Sequence, residues 1–106
     1  MMEKDTMAEE NKRLSATALG YDPDRDNAPV VIASGRGKIA EEILAAARQN
    51  NVPIHSDPML AETLSRVNVN QAIPPELYIV VAEIFAYIYR IRETHHRKRE
   101  ILLNGR

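Results

Sequence analysis

The chain contains no cysteine. That one absence removes disulfide staples, thiolate nucleophiles and zinc–thiolate sites together, and it suits a reducing compartment. Tryptophan is also missing and there is a single phenylalanine, too little aromatic surface for a platform on which nucleic-acid bases would stack. No long hydrophobic run is present. The most apolar stretch, residues 77–91, is interrupted by Glu83 and Arg90. A membrane-crossing helix needs ~20 largely uncharged residues, so this stretch is expected inside protein. Neither charge is in excess: fourteen Lys and Arg stand against fifteen Asp and Glu, a formal −1. Near-neutrality argues against a general nucleic-acid coat. The first ten residues carry Glu3, Asp5, Glu9 and Glu10 with one Lys4 and no apolar stretch, which is not a secretory signal.

What remains is the composition of one globular domain. Its 106 residues are 44% apolar and 27% charged, enough for a single core and too few for a two-domain enzyme with a cleft between domains. Residues 1–13 lack a periodic apolar face and are expected to be a flexible polar arm. Residues 14–92 carry the folded domain, and 93–106 are expected to form a basic tail.

Within the domain, alternation from Ser15 to Tyr21 predicts a strand. Two prolines and several Asp and Asn residues over 22–29 predict a loop. The β-branched run 30–33 predicts a strand buried on both faces. A helix follows Gly35-Arg36-Gly37, with Ile39, Ile43, Leu44 and Ala47 on its apolar stripe. Pro53 lies beyond its end, and residues 52–55 predict a short third strand. Strand–helix–strand over 30–55 is long enough for a crossover between parallel strands. Asp57-Pro58 predicts a helix start, with Asp capping and Pro in the first turn. Pro74-Pro75-Glu76 predicts a second, whose helix buries Leu77, Val80, Val81, Ile84, Phe85, Ile88 and Ile91. The expected fold is α/β, a small mixed sheet surrounded by helices in the order β-β-α-β-α-α.

Candidate chemistry is sparse. Gly35-Arg36-Gly37 sits where helix N–H groups could hold a phosphate. The spacing fits neither a P-loop nor a dinucleotide fingerprint, and a tight turn explains the glycines. His95 and His96 are adjacent, so on a helix they diverge by ~100° and do not share a metal. His55 stands alone. No serine sits in a nucleophile elbow, and Glu41, Glu42 and Glu83 read as helix-surface carboxylates. No cofactor or metal is expected. Arg90, Arg92, Arg97, Lys98 and Arg99 form a basic cluster that could meet nucleic acid or an anionic surface. Glu93 and Glu100 interrupt it, and cations at a helix C-terminus are ordinary dipole partners.

Several segments in order carry a resemblance: Ala18-Leu19-Gly20-Tyr21-Asp22, then Ala28-Pro29-Val30-Val31-Ile32-Ala33-Ser34-Gly35-Arg36-Gly37. They are followed by Asn51-Val52-Pro53, Asp57-Pro58-Met59-Leu60-Ala61, Ile73-Pro74-Pro75-Glu76-Leu77-Tyr78 and Val81-Ala82-Glu83-Ile84. Together they resemble the cytoplasmic C-terminal domain of the FlhB family of flagellar export proteins and their virulence-secretion relatives. The resemblance implies the FlhB-type fold and a non-catalytic part in flagellar or type III export. It implies protein–protein contact at the export gate, in substrate recognition or specificity switching. Expected partners are export-apparatus proteins and exported substrates, with no nucleic acid. The implied location is the cytoplasm or the cytoplasmic face of the inner-membrane gate.

Members of this family also cut themselves at an Asn-Pro-Thr-His motif by cyclisation of the Asn. Register puts that motif at Asn11, Lys12, Arg13 and Leu14, where only the Asn matches, so no self-cleavage is expected. Members have a membrane domain before this one, so this chain resembles the C-terminal cleavage product made separately. They also have a strand before the motif, where this chain holds the polar residues 1–10. The sheet is therefore expected to show an unpaired edge that a partner strand, or a second copy, could fill. The resemblance further implies an apolar recognition surface at Ala28, Pro29, Ala82 and Phe85. Two other readings are set beside this one: a nucleic-acid or anionic-surface binder using the basic tail, and an enzyme holding phosphate at residues 35–37.

Overall fold

The computed structural model describes residues 14–92 and 99–105. Strands β1 (Ser15–Tyr21) and β2 (Val30–Arg36) lead into helix α1 (Lys38–Gln49). Strand β3 (Ile54–Ser56), helix α2 (Pro58–Leu64), a 3-10 turn (Pro75–Leu77), helix α3 (Tyr78–Arg92) and strand β4 (Arg99–Gly105) follow. The strands form one sheet in the order β2-β1-β4-β3. β1 is antiparallel to both β2 and β4, and β3 is parallel to β4. The sheet is mixed and the β-β-α-β-α-α order is present, extended by one strand.

That extra strand corrects the expected tail. Residues 99–105 lie inside the sheet, hydrogen-bonded to β1 from Ser15↔Gly105 to Tyr21↔Arg99 and to β3 from Ile54↔Leu102 to Ser56↔Asn104. Residues 93–98 lie outside the described residues. The expected unpaired edge is corrected with it, because β4 occupies the place beside β1. At the sheet's other margin, the outer side of β2 is partly covered. Val31 N–H donates to the Gln71 carbonyl at 2.9 Å, and Asn70 N–H donates to that of Val31 at 2.7 Å.

β4 carries apolar residues on both faces, as a central strand between helices must. Leu102 packs with Ala16, Ala40, Leu44 and Ala47 on the α1 side. Ile101 and Leu103 join Leu19, Val31, Leu64, Val81, Ile84 and Phe85 on the α2–α3 side. All three β4 side chains are fully buried, each removing apolar area that stabilises by about 1.5–3 kcal/mol. Gly105 ends the strand where α2 begins, and a Cβ there would lie 2.4 Å from Pro58 Cα. No larger residue allows this approach, which also lets Asp57 N–H donate to the Asn104 carbonyl at 2.9 Å.

Two expected burials are corrected. Ile39 is 57% exposed, and Ala40, Leu44 and Ala47 form the buried stripe of α1. The sheet face beneath α1 is built of small residues such as Ala16 and Ala18, so the helix lies close and presents its alanines. β2 is not buried on both faces: Ile32 is 43% exposed. Pairing jumps from Ala18↔Ala33 to Leu19↔Val31, leaving Ile32 as the extra residue of a bulge on an edge strand. In α3 the buried residues are Val81, Ile84, Phe85 and Ile88, while Val80 is exposed.

The helix starts follow the sequence. Asp57 accepts from Leu60 N–H at 3.1 Å, with Pro58 in the first turn. Asp57→Ala is expected to lower stability by about 1 kcal/mol in urea unfolding. An unchanged midpoint would mean the cap contributes nothing.

Candidate functional site

Two segments meet beside the start of α3. One is the β1–β2 loop, which the sequence holds rigid. Asp22 accepts from the N–H of Asp24 through its side chain at 3.0 Å, and Asp26 returns a bond to Asp22 N–H at 3.0 Å. The carbonyl of Asp22 also accepts from Arg25 and Asp26. This is the local turn chemistry that a run of Asp residues favours. The loop's exit is fixed by Ile73 N–H donating to the Pro29 carbonyl at 3.0 Å.

The other segment is α3. Tyr78, Ala82, Phe85 and Ala86 are spaced as neighbours along one helical stripe. Between loop and helix lies an apolar hollow of about 300 Å³, lined by Tyr21, Asn27, Ala28, Pro29, Tyr78, Ala82, Phe85 and Ala86. It thus brings together all four residues singled out in the sequence: Ala28, Pro29, Ala82 and Phe85. Their roles differ. Phe85 is 5% exposed and belongs to the core, so it forms the floor. Ala82 is exposed and keeps the opening unobstructed. Phe85 also stacks on Tyr89, ring centroids 6.3 Å apart. Tyr89 Oη donates to the Glu100 carbonyl and accepts from the Glu100 N–H, both at 3.0 Å. The floor of the hollow is thereby tied to the start of β4.

Tyr21, Asn27, Tyr78 and Ala86 were not singled out from the sequence. Tyr78 and Ala86 stand one turn either side of Ala82, so helical spacing alone could have found them.

The remaining sequence candidates do not converge. Of the degenerate motif, Asn11, Lys12 and Arg13 lie outside the described residues. Leu14 accepts from Gly37 N–H at 2.8 Å and lines a separate hollow with Glu41, Leu44, Arg48 and Asn104. Gly37 adopts φ 60°, a left-handed turn that suits glycine. Arg36 binds Glu62 and Ser65 on α2, so its guanidinium serves a surface ion pair. His55 is half-buried on β3, and no metal-holding group of His, Cys, Asp or Glu occurs among the described residues. No helix among them is long and apolar enough to cross a membrane.

The family model described as the FlhB HrpN YscU SpaS family matches residues 11–88. The chain belongs to the FlhB HrpN YscU SpaS family. FlhB-family likeness extends through sequence and fold. The chain is 41% identical over 93 residues to the uncharacterized protein YlqH of Bacillus subtilis, covering 88% of this chain and all of that one. It is 42% identical over 86 residues to the flagellar biosynthetic protein FlhB of Aquifex aeolicus, covering 80% of this chain and 25% of that one. The chain therefore spans about a quarter of that FlhB's length. The crystal structure of the cytoplasmic domain of FlhB from Shewanella putrefaciens superposes with a TM-score of 0.72 at 33% identity. That match covers 87% of this chain and 83% of the other. The match to the FlhB family model stops at residue 88, before β4 begins at Arg99.

Proposed function

We propose that this domain is a non-catalytic recognition element of flagellar or type III protein export, holding apolar segments of exported proteins in the hollow beside α3. The observation that carries the reading is the convergence of Ala28, Pro29, Ala82 and Phe85 on one apolar hollow in a chain of the FlhB family. Its chemistry supports a peptide ligand. The hollow is lined mainly by apolar and aromatic residues, with Asn27 to orient a backbone group. Its volume of about 300 Å³ is at the lower end for ligand sites, suited to one or two apolar side chains. Binding of so small a feature is weak, in the micromolar to millimolar range, which suits substrates that must move on. The site would meet its partners at the export gate and contribute to choosing or switching the exported class. No self-cleavage belongs to this reading, since the chain contains no Asn-Pro pair at which the family's reaction could occur.

NMR titration with a synthetic segment of an early flagellar export substrate tests the reading. Shifts are expected at the Asn27 and Ala28 amides and the Ala82 methyl. Shifts confined to other surfaces would sink it.

A further inference from the structure

Strand β4 is the member on which the rest of the sheet depends. β3 pairs only with β4, and β4 alone joins it to the β1–β2 hairpin. Without residues 99–105, β1 and β3 would face each other across one strand's width with hydrogen-bonding groups directed into the space. The walls of that space are already built by the family-matched residues: Leu19, Leu64 and Val81 on one side, Ala16 and Leu44 on the other. A strand entering it must present three consecutive apolar residues to both walls, then a residue without Cβ where Pro58 crosses. In this chain Ile101-Leu102-Leu103-Asn104-Gly105 is the segment that meets both demands. Another molecule of the same chain meets them identically, because a strand delivered in trans makes the same ladder and the same core contacts.

We propose that the position between β1 and β3 accepts residues 99–105 of a second copy in place of the chain's own, giving a reciprocal strand-exchanged dimer. The inference rests on the sheet and is independent of the ligand proposed for the hollow. It has a consequence for that site nonetheless. The residues lining the hollow all precede β4, so each half of the dimer keeps one complete hollow. Two weak sites in one particle bind a repeated or long substrate far better than either alone.

The cysteine-free sequence makes the test clean. Gly20 pairs with Glu100 across β1 and β4. A Cβ at Gly20 meets only ordinary contacts, the nearest being Ile32 Cγ2 at 3.4 Å. Antiparallel partners lie ~4.5–5.5 Å apart, within disulfide range. Single-cysteine chains Gly20→Cys and Glu100→Cys are mixed, unfolded in urea, refolded together at high concentration and oxidised. Residue 20 of one chain meets residue 100 of the other only if the strand has crossed over. A Gly20→Cys and Met59→Cys mixture is the control, Met59 being 81% exposed. The expected result is disulfide dimer about tenfold above the control, since exchange raises the effective concentration of the pair. The unsubstituted chain, refolded concentrated, is expected to give a dimer by light scattering that persists on dilution. Cross-linking no greater than the control, with the unsubstituted chain monomeric at every concentration, overturns the proposal.

Discussion

Replacing Leu103 by alanine is expected to destabilise the domain by about 2–5 kcal/mol, the cost of emptying a fully buried leucine site. Leu103 has no exposed surface and stands between Thr17 on β1 and His55 on β3. A domain of this kind has only about 5–15 kcal/mol of stability in total, so one methyl-for-isobutyl change removes a large share. Ile101→Asp should go further. It places a carboxylate among Leu19, Val81 and Ile84 with no cation nearby in that cluster, and burying an unpaired charge costs more than the domain can supply. No cooperative unfolding transition is expected for that variant. Glu100→Gln is the control. Its side chain is exposed on the same strand, so its effect should stay within about 0.5 kcal/mol. Urea unfolding followed by circular dichroism separates the three. Were Leu103→Ala to melt with the parent midpoint, residues 99–105 would be a tail after all.

The second large effect concerns the hollow, where two neighbouring residues should behave in opposite ways. Ala82→Arg puts a long cation into the opening from an exposed position. It should weaken binding of an export-substrate segment at least about tenfold, equivalent to ~1.4 kcal/mol. Its effect on stability should stay within about 0.5 kcal/mol, because nothing buried is displaced. Phe85→Ala removes the floor, and it also removes a core ring stacked on Tyr89. About 3–5 kcal/mol of stability should go with it, so its loss of binding is not interpretable alone. The informative measurement is therefore a titration of Ala82→Arg beside its own urea melt. A variant that binds like the parent would remove the hollow from consideration.

How far the sequence carried these conclusions depended on how local each signal was. Asp57-Pro58 was readable because a capping carboxylate and a first-turn proline act within four residues, and the Asp57–Leu60 bond is where they place it. β1 was readable from alternation because its α1-facing residues are small. β4 was not. Only Ile101, Leu102 and Leu103 are apolar, and they follow Arg97, Lys98, Arg99 and Glu100. A strand covered on both faces shows no alternation, and three residues are too few to distinguish a core strand from an incidental run. Its place is decided by partners at residues 15–21 and 54–56, which no local window contains. Ile39 failed for a related reason. Helical spacing fixes which residues share a stripe, but the small residues of the sheet decide which stripe turns inward. The hollow lies at the far end of that scale. Two alanines, a proline and a phenylalanine carry no chemistry that announces a site, and only the family resemblance joined them before the fold did.

The central place of β4 has a kinetic side. Ser15 pairs with Gly105, nearly the full length of the chain away. Most of the loop-closure entropy must be lost before that ladder returns any energy, which is the situation in which folding is slow. The β1–β2 hairpin and the helices can form early from near neighbours, but β3 has nothing to pair with until residues 99–105 arrive. During synthesis the domain therefore passes through a stage with strand edges open and core unfilled, and the last strand made is the one that ends it.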